Sequence, residues 1–149
     1  MNRFRLWLCL IACGFSSLAA DVQPGSFIRE RGAYTFDRAG SSVEVITAKD
    51  KKLFLAIDFQ MRGPNFAQTA KYNFNEEGIL RGPGWFVFVE SPDRLWIFDG
   101  VNSLAIAERN GNKHNFKDFD TKGATQCPLR VKEALPKAVR EKLFAQRLF

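Results

Sequence analysis

Apolar and polar residues alternate with a period of two through the middle of the chain, a pattern that predicts β-strands. The clearest case is the segment 53–61, in which every second residue is apolar. The β-branched segment 43–47 precedes it across the charged residues 49–52. These two segments therefore predict a hairpin.

Two further hairpins are predicted downstream. Segments 85–90 and 94–99 flank Ser91-Pro92-Asp93, and segments 104–109 and 113–116 flank Asn110-Gly111-Asn112. Proline fixes φ for a turn, and Asn-Gly supports the positive φ values of a tight hairpin. With weaker strands at 34–37 and 70–74, about eight closely spaced strands predict an all-β, mainly antiparallel meander, either barrel-like or a sandwich.

The pattern changes near the C-terminus, where residues 136–146 predict a single helix. Pro136 suits the first helical position, and Leu135, Val139 and Leu143 recur at every fourth residue. We expect this helix to pack on the outside or the base of the sheet.

Residues 1–20 are typical of a secretion signal. Arg3 and Arg5 form a basic start, residues 6–12 are an apolar run, and residues 17–20 are small apart from Leu18. The run is shorter than the roughly 20 apolar residues of a transmembrane helix. We therefore expect an exported protein, periplasmic or secreted, whose mature form is one β-rich domain at 21–149.

A second route of processing stays open, because Leu10-Ile11-Ala12-Cys13 resembles a bacterial lipobox. Cleavage after Ala19 or Ala20 would release a soluble domain. Lipidation of Cys13 would instead tether the domain to a membrane.

Composition agrees with one soluble domain. The 149 residues are 46% hydrophobic and 13% aromatic, which excludes disorder for most of the chain. The net charge is +6, and basic residues exceed acidic ones after Asp120, which could favour an anionic membrane surface or an acidic polymer. No nucleic-acid recognition motif is present, and exported proteins rarely meet nucleic acid, so no such partner is expected.

The aromatic hairpin is the predicted binding site. Its large side chains occupy both faces, so one face could line a cavity for an apolar ligand while the other packs, or all of them could be core. An exposed patch for a partner protein is a third interpretation. The ligand-binding residues of this prediction are Trp85, Phe86, Phe88, Trp96 and Phe98.

No catalytic, metal or cofactor site is predicted. His114 and Cys127 could form a nucleophilic pair, but a surface histidine and a buried thiol are the favoured interpretations. Residues 118–123 begin like a calcium loop, yet Lys122 and Leu129 stand where oxygen ligands are required. One mature cysteine and one histidine cannot form a zinc site alone.

The sequence thus favours an exported, non-enzymatic binding domain of the cell envelope or extracellular space, for an apolar ligand or a partner protein. One alternative is a small carboxylate-dependent hydrolase, in which two carboxyl groups would face each other in a cleft. Its candidate residues are Asp58, Glu90, Asp93 and Asp99. The other alternative is a structural or assembly lipoprotein anchored through Cys13.

Overall fold

The alternating segments form strands in the computed structural model, which describes residues 19–47, 52–63, 66–73, 80–111, 113–119 and 126–145. These residues contain ten strands and two helices. The strands are β1 (Ala20–Asp21), β2 (Ser26–Ile28), β3 (Gly32–Thr35), β4 (Ser42–Thr47), β5 (Leu53–Gly63), β6 (Phe66–Asn73), β7 (Phe86–Ser91), β8 (Arg94–Phe98), β9 (Leu104–Asn110) and β10 (Lys113–Asp118). The helices are α1 (Leu129–Ala134) and α2 (Lys137–Phe144).

The strands form two sheets that are not closed into a barrel. The first sheet has the order β1-β3-β4-β5-β6 and the second has the order β10-β9-β8-β7-β2. All strand pairs are antiparallel except the short pair of β1 with β3. The all-β, mainly antiparallel prediction is confirmed, and the structure is the sandwich of the two forms left open.

The predicted hairpins have the expected pairing. Val43 lies opposite Ile57 in β4 and β5, and Phe88 lies opposite Trp96 in β7 and β8. Gly111 adopts a φ of 58° between β9 and β10, which agrees with the turn predicted there. The extra strands β1 and β2 are too short, at two and three residues, to produce a readable alternation.

One hydrophobic core lies between the sheets. Residues that point inward alternate along each strand with residues that point outward, as period two requires. Its larger members are Ile28, Phe36, Val43, Val45, Leu55, Ile57, Phe59, Leu80, Trp85, Val87, Val89, Leu95 and Ile97.

A second core covers the outer face of the second sheet. Both helices pack on this face, and we call α1, α2 and the buried residues Cys127 and Leu135 the helical layer. Pro136 immediately precedes α2, which confirms the predicted C-terminal helix with an observed end at Phe144. The additional helix α1 was not predicted, because six residues are too few to show a helical period.

No helix within the described ranges has both the length and the apolar character needed to span a membrane. The predicted signal is almost wholly outside those ranges, as is Cys13. The segment boundary after Ala19 or Ala20 coincides with β1, in which Ala20 lies opposite Tyr34 and Asp21 lies opposite Thr35.

Candidate functional site

The predicted aromatic site is divided between the two cores. Trp85, 8% exposed, belongs to the core between the sheets. The other four side chains are at most 3% exposed and lie beneath the helical layer: Phe86, Phe88, Trp96 and Phe98. Both faces of the hairpin carry aromatic residues because each face borders a different core.

These rings are occupied with one another. Phe86 and Phe98 lie with ring centroids 5.4 Å apart, and the Trp96 ring lies 6.0 Å from that of Phe119. The indole Nε1 of Trp96 donates a hydrogen bond of 2.7 Å to Glu90, so its buried polar atom is satisfied. An apolar ligand could contact these side chains only after such contacts separate. This packing gives no support to the apolar-ligand hypothesis.

An open cleft of about 280 Å³ lies beyond the aromatic part of the hairpin and is lined by charge. The end of β7, the following turn, the start of β8 and the end of β9 form its wall. We call it the charged cleft, and its residues are Glu90, Ser91, Asp93, Arg94, Glu108, Arg109 and Asn110.

The charges of the outer wall are paired across neighbouring strands. Arg94 lies 3.2 Å from Glu108 and 3.9 Å from Glu90, and Lys117 donates a hydrogen bond of 2.9 Å to Glu108. The bond from Lys117 holds the pKa of the Glu108 carboxyl below its ordinary value, although burial opposes this. Glu108 is therefore an ionised carboxylate at neutral pH and has no proton to donate.

Arg109 connects the second sheet to the first. Its side chain donates to Asp93 at 2.7 Å, lies 3.5 Å from the Asp37 carboxylate and also donates to the backbone oxygen of Gln60. Burial acts to raise the pKa of Asp37, but hydrogen bonds from Ser41 and Ala39 and the charge of Arg109 outweigh it and lower that pKa. Arg109 and Asp37 thus form a paired, mostly buried link between the sheets.

The four carboxylates of the hydrolase alternative do not meet at one place. Glu90 and Asp93 line the charged cleft, where their partners are Trp96 and Arg94 for the first and Arg109 for the second. Asp58 is in β5 of the first sheet. The structure gives this alternative no isolated carboxyl pair with a catalytic arrangement.

Asp99 has a structural environment at the opposite end of the second sheet. One of its oxygens accepts hydrogen bonds from the backbone N–H groups of Val101, Asn102 and Ser103 at 2.8–2.9 Å. Its other oxygen accepts from Arg81 at 2.7 Å. Asp99 therefore closes the turn between β8 and β9, as a buried and fully bonded carboxylate does.

The cysteine of the mature chain is buried in the second core. Burial raises the pKa of the Cys127 thiol to about 12, so the thiol stays protonated at neutral pH. His114 is on β10, opposite Arg109 in the strand register. A protonated, buried thiol is not an activated nucleophile, and the favoured interpretation of Cys127 as a packing residue agrees with its position.

A cluster that the sequence analysis did not identify lies where β2 meets the helical layer. The Arg29 guanidinium lies 4.8 Å from the centroid of the Phe27 ring, and that of Arg130 lies 5.6 Å from the same ring. The Phe27 ring is 5.2 Å from Phe86 and 4.7 Å from Phe88. We call these five residues the arginine–phenylalanine cluster.

The two arginines of this cluster are exposed and differ from Arg94 and Arg109 in their partners. Among the residues that the structure describes, neither Arg29 nor Arg130 has a carboxylate within ion-pair distance. Arg130 donates to the backbone oxygen of Gly25, and both guanidinium groups stack on aromatic rings. The cluster therefore presents two positive charges that no described anion neutralises.

Comparison with known proteins gave no match to a family model, a curated protein or a solved structure. The side chains and their environments are consequently the basis for a functional assignment. In the described ranges, no group of three or more His, Cys, Asp and Glu side chains is arranged to hold a metal ion.

The sequence contained a weak sign of the cluster. Phe27 and Arg29 are separated by two residues and so share a strand face, but Arg130 is distant in the chain. Only the packing of α1 against β2 brings the second arginine to the same ring.

Proposed function

We propose that this chain is an exported, non-enzymatic binding domain of the cell envelope, and that its helix-covered side binds an anionic membrane surface. The observation that carries the proposal is the exposed pair Arg29 and Arg130, held over one ring without a carboxylate partner among the described residues. Two like charges held close together repel each other, so a negative partner stabilises them. Export is supported by the signal pattern of residues 1–20.

The helical layer adds further positive charge on the same side of the second sheet. Lys132 lies over the Phe144 ring at 5.1 Å, and Lys142 is exposed on α2. Each basic residue near an anionic membrane surface contributes about 1 kcal/mol of attraction. A small group of such residues is therefore enough for measurable binding, and its strength depends on salt.

Leu129 gives this side an apolar contact as well. It is 68% exposed and directly precedes Arg130 at the start of α1. Binding at a membrane interface combines electrostatic attraction with burial of apolar side chains below the headgroups. An exposed leucine beside an unpaired arginine fits that combination.

A vesicle-binding experiment tests the proposal. The processed protein from its host is mixed with vesicles of phosphatidylcholine alone or with phosphatidylglycerol added, and the bound fraction is measured by sedimentation. We expect binding to the anionic vesicles only, weakening as salt rises from 50 to 300 mM, concentrations chosen to span the change in screening. Equal binding to both vesicles, or none to either, would contradict it.

Export is tested separately by the intact mass of the protein from separated soluble and membrane fractions. A chain that starts at Ala20 or Asp21 in the soluble fraction supports a free exported domain. A lipid-modified chain that starts at Cys13 supports the lipoprotein alternative, in which the tether holds the basic surface near lipid. An unprocessed chain that starts at Met1 in the cytoplasm would contradict export.

A further inference from the structure

We infer that the arginine–phenylalanine cluster binds the phosphomonoester group of a lipid headgroup. The inference rests on the proposed function and adds a headgroup preference to it. Its basis is that Arg29 and Arg130 approach one ring, Phe27, from two different elements, the end of β2 and the start of α1. Two guanidinium groups are thereby directed to the same small area of the surface.

The chemistry of the two groups favours a phosphate with two negative charges. A guanidinium is a planar fork of N–H donors that pairs with two oxygens of a phosphate. A phosphomonoester has three terminal oxygens and a charge of about −1.5 to −2 at pH 7, whereas a phosphodiester has a single charge. Two forks and two positive charges therefore match the monoester better than the diester.

The backbone around Gly25 fixes one of the two forks. Arg130 donates to the Gly25 carbonyl oxygen, and Gly25 itself has a φ of 87°. A Cβ at this position would lie 3.2 Å from Nη1 of Arg130, a close contact that glycine avoids. Arg130 thus approaches the backbone closely and still has other N–H donors for a ligand.

Phe27 fixes the area between the forks. Its backbone pairs with Phe88 in β7, and its ring packs between Phe86 and Phe88. The stacked guanidinium groups exchange no ion pair for the ligand, so binding avoids the cost of separating one. Positioning of this kind before the ligand arrives favours affinity.

The test compares vesicles containing phosphatidic acid with vesicles containing phosphatidylglycerol, at matched surface charge. Wild-type protein is expected to prefer phosphatidic acid by on the order of tenfold, since bidentate pairing is stronger than simple charge attraction. The double variant R29K/R130K keeps both charges and loses both forks. It is expected to bind phosphatidylglycerol as wild type does and to lose the preference.

Arg140→Lys is the matched control, because Arg140 is on α2 and is not part of the cluster. It is expected to retain the preference. Circular dichroism checks that each variant is folded, and a wild-type arm with soluble glycerol 3-phosphate as competitor does not depend on any variant. The inference is overturned if wild type shows no preference, if R29K/R130K keeps it, or if glycerol 3-phosphate fails to compete. Absence of binding to phosphatidylglycerol would instead contradict the proposed function.

Discussion

Arginine has opposite roles at the two ends of the second sheet's surface. Arg109 is 15% exposed and donates to Asp93, Gln60 and Pro92 while it faces the Asp37 carboxylate. Arg29 and Arg130 are exposed and stack on rings, with no carboxylate in range among the described residues. A guanidinium whose donors are occupied holds the fold together, whereas one that lacks an anion has binding capacity left.

The same comparison separates shape from chemistry. The charged cleft is concave, yet Arg94 and Arg109 are already paired there. The arginine–phenylalanine cluster is on the surface and its two charges are unpaired within the described part of the chain. For this molecule, unpaired charge indicates a binding site better than concavity does.

Arg109→Met is expected to have the largest effect. Removing one partner of a buried ion pair leaves the Asp37 carboxylate without its cation and costs about 3–5 kcal/mol. Urea unfolding followed by tryptophan fluorescence measures the loss. Binding to anionic vesicles should be unchanged under conditions where the variant is folded. A loss below about 1 kcal/mol would show that this link is not a major part of the fold's stability.

The double variant R29Q/R130Q is expected to have the reverse profile. Loss of two charges near an anionic surface, at about 1 kcal/mol each, weakens vesicle binding by about 30-fold. The free energy of unfolding should change by much less than in Arg109→Met, because only exposed stacking contacts are lost. Co-sedimentation and urea unfolding of the same preparation measure both quantities. Unchanged vesicle binding would contradict the division between the two regions.

Acid should weaken the paired region. The pKa values of Asp37 and Glu108 are lowered from their ordinary 3.8 and 4.5, so their ionised forms stabilise the folded state. That contribution is fully present above the ordinary values and is lost as pH falls below them towards the folded-state values. Urea midpoints at pH 6 and pH 3 should fall for wild type, and fall less in Arg109→Met. An equal fall in both would contradict a share for Arg109.

Lys137→Ala is expected to have the smallest effect. Lys137 and Glu141 form an exposed pair on α2 at 3.8 Å, and such pairs contribute about 0.5 kcal/mol or less. Urea unfolding should detect little change. A loss comparable to that of Arg109→Met would show that exposure does not separate strong from weak ion pairs in this fold.

Local pattern predicted most of the strands. Alternation in β5 and the turn residues between β7 and β8 are properties of adjacent residues, and they were sufficient to predict the hairpins. β2 and α1 are too short to have a period of their own. They form because Phe27 and Val131 are buried against the second sheet.

The candidate site depends on contacts between distant residues, which pattern does not record. Arg130 donates to Gly25, 105 residues earlier in the chain, and Arg109 reaches Asp37 across 72 residues. The apolar faces of the aromatic hairpin were predictable from sequence. What covers them was not, because the helical layer is a tertiary arrangement.

The most direct test follows the arginine side chains themselves by NMR. The Nε–Hε signals of ¹⁵N-labelled protein are recorded while a short-chain phosphatidic acid is added below its micelle concentration. We predict saturable shifts for Arg29 and Arg130 and none for Arg94 and Arg109. Shifts confined to Arg94 and Arg109, or no shift at Arg29 and Arg130, would contradict the claim that the unpaired arginines are the binding site.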